Sequence, residues 1–369
     1  MKRIGIDFHV VDGIYQGSRT YVLELFSEVI RISPDIRFFL FLEKTEKLQS
    51  MAPAFALPNV EIIHMPRANP FKRLCWQLPL LQRKYRLDIL HNQYILPIPS
   101  FSDGIVSIHD ILFESYPQYF TALFKIRSAA LIRLSAWRAR HIFTISEFSK
   151  NEIMSRYGIR REKISIIYCG VDRARFFAGS AGRDIVESRG LASKGYLLSV
   201  GRLEPRKNHV TLLRAFAQMR ATTLPLVLVG QPHFGFDDVY RVIGDLGLEG
   251  RVHIFSDVTD DELPAFYRHA TLFVYPTWAE GFGMPLLEAM ASGVPVISSD
   301  STSVPEVVGD AAVLINPGDI DALAKAMDQL LSDQDIYRDL QARGLKQAMV
   351  FQWATAAETV RAVYLGAFA

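Results

Sequence analysis

The stretch Tyr275-Pro276-Thr277-Trp278-Ala279-Glu280-Gly281-Phe282-Gly283-Met284-Pro285-Leu286-Leu287-Glu288-Ala289-Met290-Ala291 decides how this chain is read. It continues an apolar run of strand length at residues 270–275, and Gly281 and Gly283 then supply a turn. Pro285 suits the first turn of a helix. Strand, glycine turn and helix together build an anion site, because free N–H groups and the positive end of the helix dipole face whatever lies above the turn. Glu280 falls in the turn and Glu288 about one turn into the helix. Both carboxylates can therefore reach one ligand, one accepting from hydroxyls near the phosphate and the other further along it.

Outward from this stretch the same pattern recurs. Strand-length apolar runs lie at residues 3–7, 38–42, 60–64, 88–92, 104–108, 141–146 and 164–168, then at 196–200, 226–230, 252–255 and 294–298. Helical spacing lies between them: Val22, Leu25, Phe26, Val29 and Ile30 follow the first run, and Leu212, Leu213, Phe216 and Met219 follow the run at 196–200. Such alternation predicts parallel sheets. Each half carries its own alternation, so the expected fold class is α/β, with two doubly wound Rossmann-like domains whose parallel sheets face a central cleft. The expected bounds are 1–172 and 195–350. Residues 173–194, where the pattern lapses into Gly, Ser, Ala and charge, are the expected linker.

Two further loops carry candidate chemistry. Gly201-Arg202-Leu203-Glu204-Pro205-Arg206-Lys207-Asn208 places three cations between a strand end and a helix start, with Asn208 as the helix N-cap. This reads as a phosphate clamp, Arg as a fork and Lys as a point charge. His109-Asp110 ends the run at 104–108, where open α/β sheets hold their ligands, and a histidine there donates or accepts at neutral pH. A purely structural histidine is the alternative. The first loop, residues 12–19, contributes Gly17 and Arg19. Asp260 and Asp261 read as an acidic first helical turn, and no metal site is expected.

At 369 residues and 49% apolar content the chain can bury two cores. Its formal charge of +2 conceals an asymmetry: residues 1–180 hold 25 Lys and Arg against 16 Asp and Glu, and the remainder 16 against 23. Different partners for the two halves follow. The two cysteines, Cys75 and Cys169, form no disulfide framework and fit a reducing compartment. With no secretory leader and no membrane-length apolar run, a cytoplasmic or peripherally attached protein is expected. Residues 122–140 carry Lys125, Arg127, Arg133, Arg138 and Arg140 among Leu123, Phe124, Ile126, Leu131, Ile132, Leu134 and Trp137. The favoured reading is a solvated cationic face over an apolar core stripe; a helix lying on anionic lipid is the alternative. The basic residues are not interleaved with any nucleic-acid reading motif, so no nucleic-acid partner is expected.

With these residues in view, the chain resembles the retaining GT-B glycosyltransferases of family 4 over nearly its full length. Three segments in order carry the resemblance: residues 201–208, residues 280–297, and Pro305-Glu306-Val307-Val308-Gly309-Asp310-Ala311-Ala312. The first half matches more loosely, through Gly17, Ile108-His109-Asp110, Thr144-Ile145-Ser146-Glu147-Phe148-Ser149 and Gly170-Val171-Asp172. The resemblance implies a nucleotide-diphosphate sugar held mainly by the C-terminal domain, and an acceptor on the N-terminal side. It implies that Arg202 and Lys207 hold the diphosphate, Glu288 the ribose hydroxyls and Glu280 the donor sugar. His109 reaches that sugar from the other domain, and backbone groups near Phe282, Gly283 and Met284 complete the contacts. Residues 351–369 look like the helix that crosses back to the N-terminal domain. The commoner double glycine of the first loop is reduced here to Gln16-Gly17-Ser18, which opens an acceptor-side role for Arg19; Asp110 and Ser146 are the other acceptor-side candidates.

The function implied is a metal-independent, retaining transfer of mannose from GDP-mannose to a glycan or lipid-linked acceptor, in O-antigen-like surface polysaccharide assembly. A UDP-sugar donor and a nucleotide-sugar epimerase of the same fold stay open as alternatives. No cofactor is expected beyond the donor itself. An anionic membrane surface is a further expected partner.

Overall fold

The computed structural model describes residues 1–13, 17–219 and 223–367, so Gln16 of the first loop lies outside the described residues. The chain forms two compact units. One comprises Met1–Cys169 together with the chain from Gln352 onward; the other is Gly170–Phe351.

The first unit is built on seven strands: β1 Lys2–Asp7, β2 Ile36–Leu42, β3 Val60–His64, β4 Ile89–Gln93, β5 Asp103–Ser107, β6 His141–Thr144 and β7 Ile164–Ile166. They pair in parallel in the order β3-β2-β1-β4-β5-β6-β7. The apolar runs are continuous because both faces of a parallel sheet are covered by helices; β4, for example, is buried along its whole length. The helix Gly17–Arg31 turns Tyr21, Val22, Leu25, Phe26, Val29 and Ile30 inward. Against it lies the final helix, Trp353–Leu365. Three side chains fix that helix to this unit. Lys2 Nζ donates to the Tyr364 carbonyl at 2.8 Å, the buried Tyr364 hydroxyl meets His91 Nδ1 at 2.6 Å, and Arg361 forks onto Asp35 at 3.0 Å.

The second unit holds β8 Leu197–Val200, β9 Leu226–Val229, β10 Val252–Phe255, β11 Leu272–Tyr275, β12 Val296–Ser299 and β13 Ala312–Ile315. Their order is β10-β9-β8-β11-β12-β13, again parallel. β13 has no counterpart among the sequence runs. It is a four-residue edge strand that is only half-buried for most of its length, so its letters lack the apolar continuity of a central strand.

The structure corrects the sequence reading at residues 173–194. This segment is no linker but part of the second unit, whose boundary falls before Gly170. Its letters look irregular because its order comes from a distant cation. Arg268 is buried, and its guanidinium donates to the carbonyls of Arg175, Phe177 and Ala181 at 2.8, 3.1 and 2.8 Å. A short helix, Arg183–Ser188, follows, and Val186 and Leu191 are buried. Arg189 then forks onto Asp257 at 2.8 and 2.9 Å and reaches Glu262 at 3.1 Å.

A second correction concerns the helix Ala122–Arg138. Its buried side is Ser128, Ile132, Ser135 and Ala136, whereas Leu123, Ile126, Leu134 and Trp137 face outward. The small residues let the helix sit close to the sheet, and most of the large apolar ones are left on the surface.

Candidate active site

In the second sheet β8 has β9 on one side and β11 on the other, so the connections leaving β8 and β11 diverge. This is the topological switch point, where an open α/β sheet leaves a crevice beyond its carboxyl ends. The loop after β8 carries Arg202, Arg206 and Lys207, and the loop after β11 carries Glu280. Sheet order thus brings together residues more than 70 positions apart. Lys207 Nζ lies 2.6 Å from Glu280 Oε1, and Arg206 Nη1 lies 3.0 Å from Glu280 Oε2. The Tyr275 hydroxyl donates to Glu280 Oε1 at 2.8 Å and Thr277 Oγ1 does so at 3.0 Å; Lys207 Nζ also bonds the Tyr275 hydroxyl. The Glu280 N–H donates to Thr302 Oγ1 at 2.9 Å, and Ser303 Oγ holds its carbonyl at 2.9 Å.

The electrostatics follow from this packing. Burial alone would raise the Glu280 carboxyl, but Arg206 and Lys207 outweigh it and hold the group at about 2. Burial lowers the Lys207 ammonium from its ordinary value, and Glu280 opposes that shift. The pair is therefore a charged one, fixed by hydrogen bonds on both sides. Arg206 departs from the sequence reading. Instead of facing a phosphate, it is spent on the protein: it holds Glu280, bonds the Ala279 carbonyl at 2.5 Å and pairs with Glu204 at 2.7 Å. It positions Glu280.

Asn208 is corrected too. It starts the helix His209–Gln218 with φ +60°, yet its side chain makes no capping bond. Its amide donates to the carbonyls of Pro276 and Pro317 at 2.8 and 2.6 Å, tying the β8 loop to the β11 loop. Arg202 sits half-buried in the same loop.

Past Glu280 the chain turns through Gly283 at φ +100°, where a side chain would be strained, into the helix Met284–Ala291. The Phe282 ring packs edge-on against Phe351 at 5.6 Å, which fixes the turn from below. Glu288 is half-buried on this helix, and burial pushes its carboxyl up to about 7 against a hydrogen bond from Tyr267 and the nearby charge of Arg175. The two carboxylates of the opening stretch thus differ sharply: one is held well below the ordinary carboxylate value and the other is raised toward neutrality.

In the first unit His109 follows β5 and is buried, with burial holding its imidazole at about 4. It is neutral at physiological pH. Its ring lies against Tyr21 and Tyr94, centroids 4.4 and 5.4 Å away, and Nε2 has no hydrogen-bond partner among the described residues. Asp110 Oδ1 accepts from the Leu112 N–H at 3.1 Å. Gly17 is the exposed first residue of its helix and Arg19 is half-buried two residues on. Ser146 is buried, and its hydroxyl accepts from the Ser149 N–H at 3.0 Å, capping the helix Glu147–Tyr157. That bond gives it a structural task at the start of this helix.

Residues 184–347 match the family described as "Glycosyl transferases group 1", and residues 15–175 match the one described as "Glycosyltransferase Family 4". The O-antigen chain mannosyltransferase B of Escherichia coli is 30% identical over 360 residues, covering 91% of this chain and 92% of that protein. The chain belongs to the family 4 glycosyltransferases. Among solved structures, a sucrose-phosphate synthase from Thermosynechococcus elongatus superposes with a TM-score of 0.81 at 20% identity, covering 100% of this chain and 99% of the other. The Anabaena protein HepE in complex with UDP-glucose does so at 0.78 and 18% identity, covering both chains fully. These two establish the shared fold, the GT-B architecture of paired parallel α/β units.

Within that family setting, sequence reasoning missed the residues that hold the site rather than line it. Tyr275 and Thr277 belong to the quoted stretch, and their hydroxyls end on Glu280. Tyr267 and Arg175, which set the environment of Glu288, read in the sequence as plain helix and linker. A polar side chain at the end of a buried strand, as at Tyr275, is the signal that points to such a role.

Proposed function

We propose that this glycosyltransferase is a retaining mannosyltransferase that takes mannose from GDP-mannose to a glycan or lipid-linked saccharide in O-antigen-like polysaccharide assembly. The observation that carries the reading is the Lys207–Glu280 pair at the β8/β11 switch point, together with 30% identity to an O-antigen chain mannosyltransferase along nearly the whole chain. Arg202, Lys207 and the start of the Met284–Ala291 helix hold the diphosphate. As the glycosidic bond to the donor breaks, negative charge grows on the departing diphosphate, and these preorganised groups stabilise it without a metal. Glu280, fixed by four side chains, meets the donor sugar. His109, neutral and with Nε2 uncommitted, can bond a sugar hydroxyl. Glu288 accepts from the ribose.

Among the described residues no helix is long and apolar enough to cross a membrane. We place the protein peripherally on the inner face of the cytoplasmic membrane, a position supported by the basic excess of its first half. Incubation with GDP-mannose, UDP-glucose and UDP-N-acetylglucosamine in the presence of a lipid-linked saccharide tests the reading. Mannose transfer with retained α configuration, read by NMR, is expected. Turnover with a UDP-sugar alone would overturn the donor assignment, and release of a new free nucleotide sugar without acceptor would favour the epimerase alternative.

A further inference from the structure

One face of the first sheet carries a ladder of polar side chains. Along β4 His91 and Gln93 point to the same side, and Ser107 of β5, paired in register with Gln93, points there too. Deep in the sheet the ladder is complete. His91 Nε2 meets Ser107 Oγ at 2.8 Å, His91 Nδ1 meets the Tyr364 hydroxyl at 2.6 Å, and the Tyr21 hydroxyl lies 3.3 Å from Ser107 Oγ. All four side chains are buried.

One level nearer the carboxyl edge the pairing stops. Gln93 is only 6% exposed, and neither its amide oxygen nor its amide nitrogen has a hydrogen-bond partner among the described residues. His109 belongs to the same face, because its ring lies against Tyr21, and its Nε2 is unpartnered in the same way. A buried amide without partners destabilises a fold, and native interiors seldom keep one without a use for it.

The backbone holds the Gln93 amide in place. Tyr94, the next residue, has φ +61°, a conformation that few residues with a side chain adopt, and its ring lies against His109. The Tyr94 N–H donates to the Ser107 carbonyl at 2.8 Å, and the Ile95 N–H donates to the Gln93 carbonyl at 2.7 Å. The strand end is thus tied down on both sides of the side chain that lacks partners.

Charge decides the class of ligand. Gln93 carries none, and His109 is neutral at physiological pH. The ion pair of Asp7 with Arg73 lies on the opposite face of the sheet, where Asn92 Nδ2 also donates to Asp7 at 3.2 Å and Arg73 Nη1 lies 2.7 Å from His9 Nδ1. An amide offers an oxygen that accepts and N–H groups that donate, which matches neighbouring hydroxyls of a sugar ring, each able to do both. It offers no cation to a phosphate.

We propose that the Gln93 amide binds hydroxyls of an uncharged saccharide ring at the carboxyl end of β4, beside His109, and thereby selects that ring. A site built to bond a hydroxyl discriminates against a ring that lacks it, since the buried amide is then left unpaired. The proposal rests on the reading of this chain as a transferase acting between a sugar donor and a saccharide acceptor.

The test is Gln93→Met, which keeps the volume and removes the polar atoms. Its thermal midpoint should rise by about 2–4 °C, because the unpaired amide is gone, whereas a glutamine with a purely structural task would give a fall. At the same time KM for the sugar should rise about ten-fold or more. Two assays distinguish the sources of the hydroxyls: transfer from GDP-mannose to a lipid-linked saccharide, and hydrolysis of GDP-mannose without acceptor. A raised KM for the saccharide alone places the hydroxyls on the acceptor, and a raised KM for GDP-mannose in hydrolysis places them on the donor. Gln93→Leu should repeat the effects on midpoint and KM. An unchanged KM in both assays, or a lowered midpoint in both variants, would overturn the proposal. Turnover of the wild type with a UDP-sugar alone would instead overturn the donor assignment, and the same two assays with that sugar would still decide the role of Gln93.

Discussion

Glu280 and Glu288 lie eight positions apart and face opposite electrostatic fates. Glu280 is held at about 2, below its ordinary value of 4.5, because the cations around it outweigh its burial. Its contribution to stability is present above 4.5 and is lost as pH falls toward 2. Glu288 is raised to about 7 by burial, so between 4.5 and 7 the folded chain holds a proton that the unfolded chain has released. Stability therefore falls as pH rises through that window, and Glu288→Gln should flatten the slope in denaturant titrations. The same ionisation should tighten nucleotide binding between about pH 6 and about pH 8, because a carboxylate accepts from ribose hydroxyls more strongly than an acid does. In Glu288→Gln that pH dependence of GDP affinity should vanish while turnover at saturation changes little. Glu280→Gln should behave in the opposite way, lowering turnover about 100-fold with a much smaller effect on GDP binding. Steady-state kinetics paired with calorimetric titration separates the two, and equal effects on both parameters would contradict the division of labour.

At the scale of elements, the strands were legible because burial on both faces forces unbroken apolar runs. The helices Gly17–Arg31 and His209–Gln218 were legible from their spacing, and the residues read as inward are the ones buried. What stayed hidden depends on partners far away in sequence. Residues 173–194 gain their order from Arg268, the Ala122–Arg138 helix takes its orientation from the sheet beneath it, and Asn208 looks like a cap until its two proline carbonyls are in view. Asn208→Ala should cost about 1–3 kcal/mol in chemical denaturation, because it leaves two buried carbonyls without a donor. Asn208→Ser, which would preserve an N-cap, should not rescue it; full rescue would mean that capping matters after all. The final helix offers a parallel case in the first unit. Tyr364→Phe removes the hydroxyl facing the buried His91 and should cost about 1–2 kcal/mol, read as a lower denaturation midpoint.

For the whole molecule, the motif-bearing segments of the second half were legible as chemistry, and sheet order explains why. Loops after β8 and β11 are remote in sequence and neighbours at the switch point, so Lys207 and Glu280 meet without any local signal of it. The excess of Lys and Arg in the first half was also readable, whereas the exposure of Leu123, Ile126 and Trp137 shows only in the structure. The proposed function has the donor diphosphate held at the β8/β11 switch point. Its most direct test is calorimetric titration of GDP into the wild-type chain and into Arg202→Ala and Lys207→Ala, each checked for an intact thermal transition. GDP should bind the wild type, and each variant should lose about ten-fold or more in affinity, as expected for removal of a charge-assisted contact. Wild-type affinity in both folded variants would contradict it.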